Sequence, residues 1–520
     1  MPRAITENPS GRHIRPSMGH PDNPLLNAYA RLQEAERLRK ARAYDQAEVI
    51  CAGLVKAHPD YFGALQTLGR VQADRGDYNA ARDNLTRAIM LNPCDWRGLA
   101  VLGQVYLKLG ASEIAMRTLE QAQALNPDDL GIIASLAQAY DQEGECELAA
   151  AAYERALAIE PSRSFRLGLG WSLDALGRSR KAAQIFETLV REDPKDVAAL
   201  SALSQMPASL IGIDMLKSFD ALGNSSGLAR EDFEIIRSFA HANALHRAGL
   251  HEAAWRDMTA VNDRVFAPLR VSCSQDEQQR AQVLERLRAV ESKKLVPPTE
   301  RGECRSLFIL GPARSGKTTL EGLAALLPEV RRGYENPLVE NAIRRTFQIA
   351  GFIVPKQLDL PPALEELFRQ HYFSELEMRA KGASVFTNTQ PGGIVSAWRL
   401  AAIMPGVRVV FVKRDPRDLA ISIYLRHFRS GHPYAYDLPA TFSFIGWYHE
   451  MMERTAALFP DLVRIVSYED IIADPRKVLA SVAELCGLAM PENPDLPELG
   501  DDRGAAAPYR AAMDRMLGAA

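Results

Sequence analysis

Prolines recur at Pro59, Pro93, Pro127, Pro161 and Pro194, at intervals of 34, 34, 34 and 33 residues. Other positions keep the same step: Leu68–Gly69, Leu102–Gly103 and Leu136–Ala137; the small residues Ala47, Ala81, Ala115 and Ala149; and Tyr106 with Tyr140. A chain that repeats itself this way builds like units and stacks them, because one helical pair alone cannot bury its apolar face. Each proline falls where the second helix of a pair should end, and the alanines fall where two helices must approach closely.

A helical repeat of about 34 residues is the tetratricopeptide signature. Residues 25–204 therefore resemble that family, and the expected fold is an all-α tetratricopeptide solenoid. Its concave face offers a groove for a protein partner; a scaffold that only orients the second half is the plainer alternative. Residues 205–300 read as a helical extension and linker, with "HRAGLHEAAWRDM" a degenerate repeat and "LVPPTERGEC" a break in periodicity. The polar residues 1–24 are expected to form a disordered tail with no signal-peptide core.

A net charge of −3 on 520 residues gives no reason to expect general attraction to nucleic acid or membranes. Six scattered cysteines without a CxxC pair suit reduced thiols, and no uncharged apolar run could span a bilayer, so a cytoplasmic location is expected.

From residue 301 the pattern changes. Short apolar runs, "SLFIL" (306–310), "ASVFTN" (383–388), "VRVVFV" (407–412) and "LVRIVSY" (462–468), alternate with helical stretches. This is β-α alternation and predicts a parallel sheet covered by helices, with ligands at the carboxyl ends of the strands. The first run leads into "GPARSGKTT" (311–319), a Walker A pattern of Gly311, Gly316, Lys317 and Thr318. Its glycines let backbone N–H groups turn around an anion, and Arg314, Ser315, Lys317, Thr318 and Thr319 add donors. A hydrolysing P-loop enzyme needs a carboxylate after a second strand to hold Mg²⁺. Here "VVFVKRD" reaches Lys413 and Arg414 before Asp415, which favours a further phosphate and no metal. A P-loop NTPase or kinase remains the alternative nucleotide chemistry.

These residues look like the sulfotransferase family, whose donor is 3′-phosphoadenosine-5′-phosphosulfate. The likeness covers about residues 305–490. It is nearest to bacterial proteins with tetratricopeptide repeats ahead of a sulfotransferase domain, and more distant to tyrosylprotein sulfotransferases. The resemblance implies an α/β parallel-sheet, P-loop-like domain over 301–520. It implies that Arg314, Ser315, Gly316, Lys317, Thr318 and Thr319 hold the 5′-phosphosulfate. Arg414 and Ser422, with Arg426, would hold the 3′-phosphate, and Tyr468 would lie near the donor. Glu335 would be the general base that takes the acceptor hydroxyl's proton, with Glu340 close by. The acceptor would be a protein, peptide or glycan. Three features depart from the pattern. Lys317 replaces a threonine, and Thr389 in "NTQP" replaces a lysine. A short, partly acidic end, "DLPELGDDRGAAAPYRAAMDRMLGAA", replaces a basic donor-binding loop and should leave the 3′-phosphate side less covered. A catalytically weakened repeat scaffold for protein binding is the alternative these departures support.

Overall fold

The computed structural model describes residues 24–206, 210–220, 230–291, 303, 305–349, 360–428, 432–497 and 499–518. The expected tail over 1–23 and most of the expected linker (295–302 and 304) lie outside them. The chain divides into two compact units, Met1–Ala139 and Tyr140–Ala520.

The repeats are eleven helices among the described residues: α1 (Pro24–Lys40), α2 (Tyr44–Ala57), α3 (Phe62–Arg75), α4 (Tyr78–Leu91), α5 (Trp96–Lys108), α6 (Ser112–Leu125), α7 (Leu130–Gln142), α8 (Cys146–Ile159), α9 (Arg163–Ala175), α10 (Ser179–Glu192) and α11 (Val197–Ser204). Each periodic proline lies two residues beyond the end of α2, α4, α6, α8 or α10. Asp77, Asp95 and Asp196 cap α4, α5 and α11 by accepting the backbone N–H of Ala80, Gly98 and Ala199. The recurring glycines are small for a reason. A Cβ on Gly69 would stand 2.6 Å from Leu85 Cγ, and one on Gly103 would stand 2.5 Å from Leu119 Cγ. Ala47, Ala81, Ala115 and Ala149 are all fully buried. Ala115→Leu should therefore overpack a helix contact and cost about 1–3 kcal/mol, read as a lower urea midpoint at unchanged slope.

The second unit begins in the repeats and continues through α12 (Met215–Asp220), α13 (Arg230–Arg247), α14 (His251–Phe266) and α15 (Arg270–Glu291). The sheet domain follows as β1 (Ser306–Leu310), α16 (Lys317–Ala324), β2 (Val330–Arg331), α17 (Leu338–Ile349), α18 (Glu365–Ala380), β3 (Val385–Asn388), α19 (Ile394–Ile403), β4 (Val407–Lys413), α20 (Pro416–Tyr424), α21 (Leu438–Leu458), β5 (Val463–Ser467), α22 (Tyr468–Ala473), α23 (Pro475–Cys486) and α24 (Arg510–Met516).

The five strands are parallel in the order β2-β3-β1-β4-β5, with Ser306 beside Phe386 and Val407, and Lys413 beside Ser467. β1 is buried along its whole length, as a central parallel strand with both faces covered must be. On one face Phe308, Leu310, Val409 and Phe411 pack with α17, α18, α19 and α21. On the other, Leu307, Ile309, Val410 and Val412 pack with α16 and α23. The apolar runs mark four of the strands; the two-residue edge strand β2 is an addition to that reading. Loops after all five strands gather at the carboxyl edge.

Among the described residues no helix is long and apolar enough to cross a membrane. The five described cysteines are free thiols, four of them buried.

Candidate functional site

The loop after β1 turns tightly. Gly316 sits at φ +100°, a conformation that favours glycine, and a Cβ there would stand 2.6 Å from the Tyr468 ring. Arg314 holds a left-handed backbone, φ 69°, without that freedom, a strained geometry of the kind that clusters at ligand sites. Ser315 is fully buried, and its hydroxyl oxygen has no hydrogen-bond partner. Thr318 is exposed and Thr319 half-buried on the first turn of α16.

Lys317, at 5% exposure, does not reach outward. Its Nζ donates to Glu335 Oε1 at 2.7 Å and to the carbonyl of Thr389 at 3.1 Å. One ammonium thus joins the loops after β1, β2 and β3, reaching the third through the backbone of Thr389. Glu335 keeps 54% of its side chain exposed, while Thr389 is buried. Glu340 is exposed on the first turn of α17, and Lys317 bonds to Glu335. Nearby, burial pushes the His432 imidazole below its ordinary range; Glu335 pulls it the other way and Lys317 reinforces the drop.

The loop holding Glu335 is pinned by helices of the same unit that belong to the repeats. Tyr334 Oη donates to Glu147 Oε1 at 3.2 Å, and Arg332 Nη1 donates to the Leu176 carbonyl at 3.3 Å. Gly144, at φ +70°, lies so close that a Cβ there would be 3.1 Å from the Glu335 carbonyl oxygen.

A second group forms after β4. Arg414 is 3% exposed. It donates to the Arg314 carbonyl at 2.8 Å and to the Asp502 carbonyl at 2.9 Å, and stacks 4.4 Å from the Tyr468 ring centre. Its buried Nε has no partner. Tyr468 Oη donates to the Gly500 carbonyl at 3.1 Å and accepts from Asp502 N at 3.2 Å. Arg314 keeps 40% of its side chain accessible, 3.8 Å from the Asp502 carboxylate. Lys413, by contrast, pairs with Glu453 at 2.7 Å, and the Asp415 carboxylate caps α20 through Arg417 N and Asp418 N. So one of the two cations expected after β4 enters this group, and Asp415 is spent on its helix.

Ser422 lies on α20 with its hydroxyl donated to the Asp418 carbonyl at 2.7 Å, in its own helix. Arg426 donates to Gln205 Oε1 at 2.7 Å and is half-buried. Burial lowers its pKa to about 9, with Arg314 and Arg247 adding to the drop and Asp174 opposing it. Asp174, Arg247 and Asp502 act electrostatically on these arginines, and the motifs do not contain them. The first two lie ahead of the sheet domain, and the third lies in the acidic end.

The acidic end packs against the group around Arg414, whose Nη2 donates to the Asp502 carbonyl. It crosses the carboxyl edge: Gly504 N and Ala506 N donate to the Asp418 carboxylate at 2.6 and 2.9 Å, and Arg417 pairs with Asp514 at 2.6 Å.

A parallel sheet whose first strand leads into a glycine-bearing turn and a helix, with a buried arginine after β4, is an open α/β domain with its ligand edge at the carboxyl ends of the strands. Residues 306–492 match the profile of the sulfotransferase family, and residues 72–140 and 135–200 match two tetratricopeptide repeat profiles. The chain is a tetratricopeptide-repeat protein carrying a sulfotransferase-family domain.

An uncharacterized protein of Aquifex aeolicus (strain VF5) is 23% identical over 194 residues, 35% of this chain and 26% of that relative; the match spans about a quarter of its length. Among solved structures, a MamA fragment from Desulfovibrio magneticus RS-1 is 22% identical, covering 32% of this chain and 97% of its own at a TM-score of 0.31. A thermophilic TPR protein in Thermus thermophilus is 26% identical, covering 34% and 98% at 0.28. YrrB, described as a TPR protein with an unusual peptide-binding site, is 19% identical, covering 34% and 91% at 0.32.

Proposed function

We propose that the protein is a sulfotransferase that moves a sulfuryl group from 3′-phosphoadenosine-5′-phosphosulfate to a hydroxyl of a protein, peptide or glycan acceptor, without a metal ion. The observation that carries this reading is Arg414: a guanidinium at the end of a central strand, buried, with an unpartnered Nε. A buried donor left unpaired costs about 1–3 kcal/mol, and an anionic ligand would relieve it. The unpartnered Ser315 hydroxyl on the first loop fits the same donor. When bound, that donor supplies a sulfur centre whose bond to the 5′-phosphate oxygen breaks as the acceptor oxygen attacks.

The residues divide the remaining work. Arg314, Ser315, Gly316, Lys317, Thr318 and Thr319 cradle the 5′ end. Arg414, Ser422 and Arg426 serve the 3′-phosphate, with Tyr468 holding Arg414 flat. Glu335 takes the proton released from the acceptor hydroxyl, and the Lys317 ammonium stands beside it to balance negative charge on the leaving oxygen. The repeats present a groove for a protein partner.

The test is calorimetric titration in the absence of metal. Adenosine 3′,5′-bisphosphate should bind more tightly than 5′-AMP, and Arg414→Ala should weaken the bisphosphate by roughly ten- to a hundredfold. Equal affinity for the two nucleotides would overturn the 3′-phosphate assignment. Mg²⁺-dependent ATP hydrolysis abolished by Lys317→Ala would instead favour an NTPase. The second reading is a repeat scaffold with a domain that binds but does not transfer. It rests on Asp502, whose carbonyl and carboxylate already face Arg414 and Arg314. Tight bisphosphate binding with no acceptor ever labelled would favour it.

A further inference from the structure

Arg247 ends α13, in the helical extension that precedes the matched sulfotransferase region. Its Nη2 donates to the carbonyl of Ser204, and its Nη1 is buried without a hydrogen-bond partner. The next residue along, Gln205, receives Arg426 through its side chain at 2.7 Å. Two guanidiniums from separate parts of the chain therefore converge on the end of α11. Arg426 lies four residues beyond Ser422, just past the end of α20, where Arg314, Asp174 and Arg247 act on its charge.

The charges do not balance. Arg314 acts on both Arg247 and Arg426 and is itself acted on by Arg414; the carboxylates opposing these charges are Asp174 and Asp502, while Asp501, near Arg414, is already paired with Arg503. Burial lowers the Arg247 pKa to about 10, with Arg314 adding to the drop and Asp502 opposing it. Guanidiniums stay protonated in proteins, so the cluster keeps its excess positive charge and gains by taking up an anion. In the acidic end, Arg503 is tied to Asp501 at 2.6 Å.

We propose that Arg247 is a donor-binding residue: with Arg426 it completes the 3′-phosphate site, supplying from the helical extension the charge that a basic C-terminal loop would otherwise provide. This rests on the donor assignment made under the proposed function. It implies that the extension between the repeats and β1 is part of the binding site, and that a sheet domain cut at residue 301 would discriminate poorly between nucleotides.

The experiment is titration of the full chain and of Arg247→Gln with adenosine 3′,5′-bisphosphate and with 5′-AMP, with thermal midpoints measured alongside. The native chain should prefer the bisphosphate. Arg247→Gln should lose about tenfold or more in bisphosphate affinity while its affinity for 5′-AMP changes less than about threefold. Arg247→Lys, which keeps a point charge, should fall between. A purely structural role would weaken both nucleotides together, and that result overturns the proposal. Unchanged selectivity in Arg247→Gln also overturns it while leaving the donor assignment intact. A native chain with no preference for the bisphosphate removes the donor assignment and this proposal together.

Discussion

Glu335→Gln should cut sulfuryl transfer by about 10²–10⁴-fold while leaving binding of adenosine 3′,5′-bisphosphate near that of the native chain. The substitution keeps the size of the side chain and an oxygen that can accept from Lys317, so the 2.7 Å contact across the loops should persist as a hydrogen bond. What it removes is the capacity to take a proton. The measurement is transfer from labelled donor to an acceptor found in a lysate or peptide library, with bisphosphate affinity as the control. Retained transfer would place the base elsewhere. His432 is then the residue to replace, because its depressed pKa leaves a neutral imidazole able to accept a proton near Glu335 and Lys317.

Arg379→Met should destabilise the second unit by about 3–5 kcal/mol. Arg379 on α18 is 8% exposed and binds three carboxylates: Glu143 at 2.8 Å, Glu375 at 2.9 Å and Glu145 at 3.2 Å. Glu375 also pairs with Arg345 at 3.2 Å. Burial works against the Arg379 charge, but the carboxylates, Glu375 first, outweigh it and raise its pKa. Methionine fills similar space yet leaves the buried Glu143 and Glu375 carboxylates without their main partner. Denaturant unfolding of the native and variant chains measures the loss. A change under about 1 kcal/mol would mean that water or Arg345 makes good the missing charge. The same variant should free the turn at Gly144, and faster proteolysis of the Glu335 loop would register it.

The sequence carries most of the architecture because both halves depend on local, repeating rules. A proline two residues past every second helix and a small residue at every close crossing are visible in one dimension. Buried parallel strands show as unbroken apolar runs, whereas β2, two residues long at the sheet edge, has no run to see. The first loop and Arg414 were legible for a different reason: a phosphate-type turn needs particular residues at fixed spacing. Arg247, Asp174 and Asp502 follow no spacing rule, since they come from three distant segments and meet only in space. Nor does any spacing rule mark Glu143, which is 1% exposed because Arg379 reaches it from α18. The acidic end reads as a deletion, and only the bonds to Asp418 reveal where it lies.

Gly144 has a consequence for how such a chain can vary. At φ +70° a side chain there would be strained, and its Cβ would lie tightly against the carbonyl of Glu335, the candidate base. Any substitution there strains the turn and pushes on Glu335 at once. The turn before α8 therefore does two jobs, since a positive-φ glycine also ends the matching helix of other repeats at Gly76, Gly110 and Gly177, while here it also seats the Glu335 loop. Someone building chimaeras should place the junction ahead of this turn, because a cut at the start of β1 would sever the helices that hold the Glu335 loop through Tyr334 and Arg332.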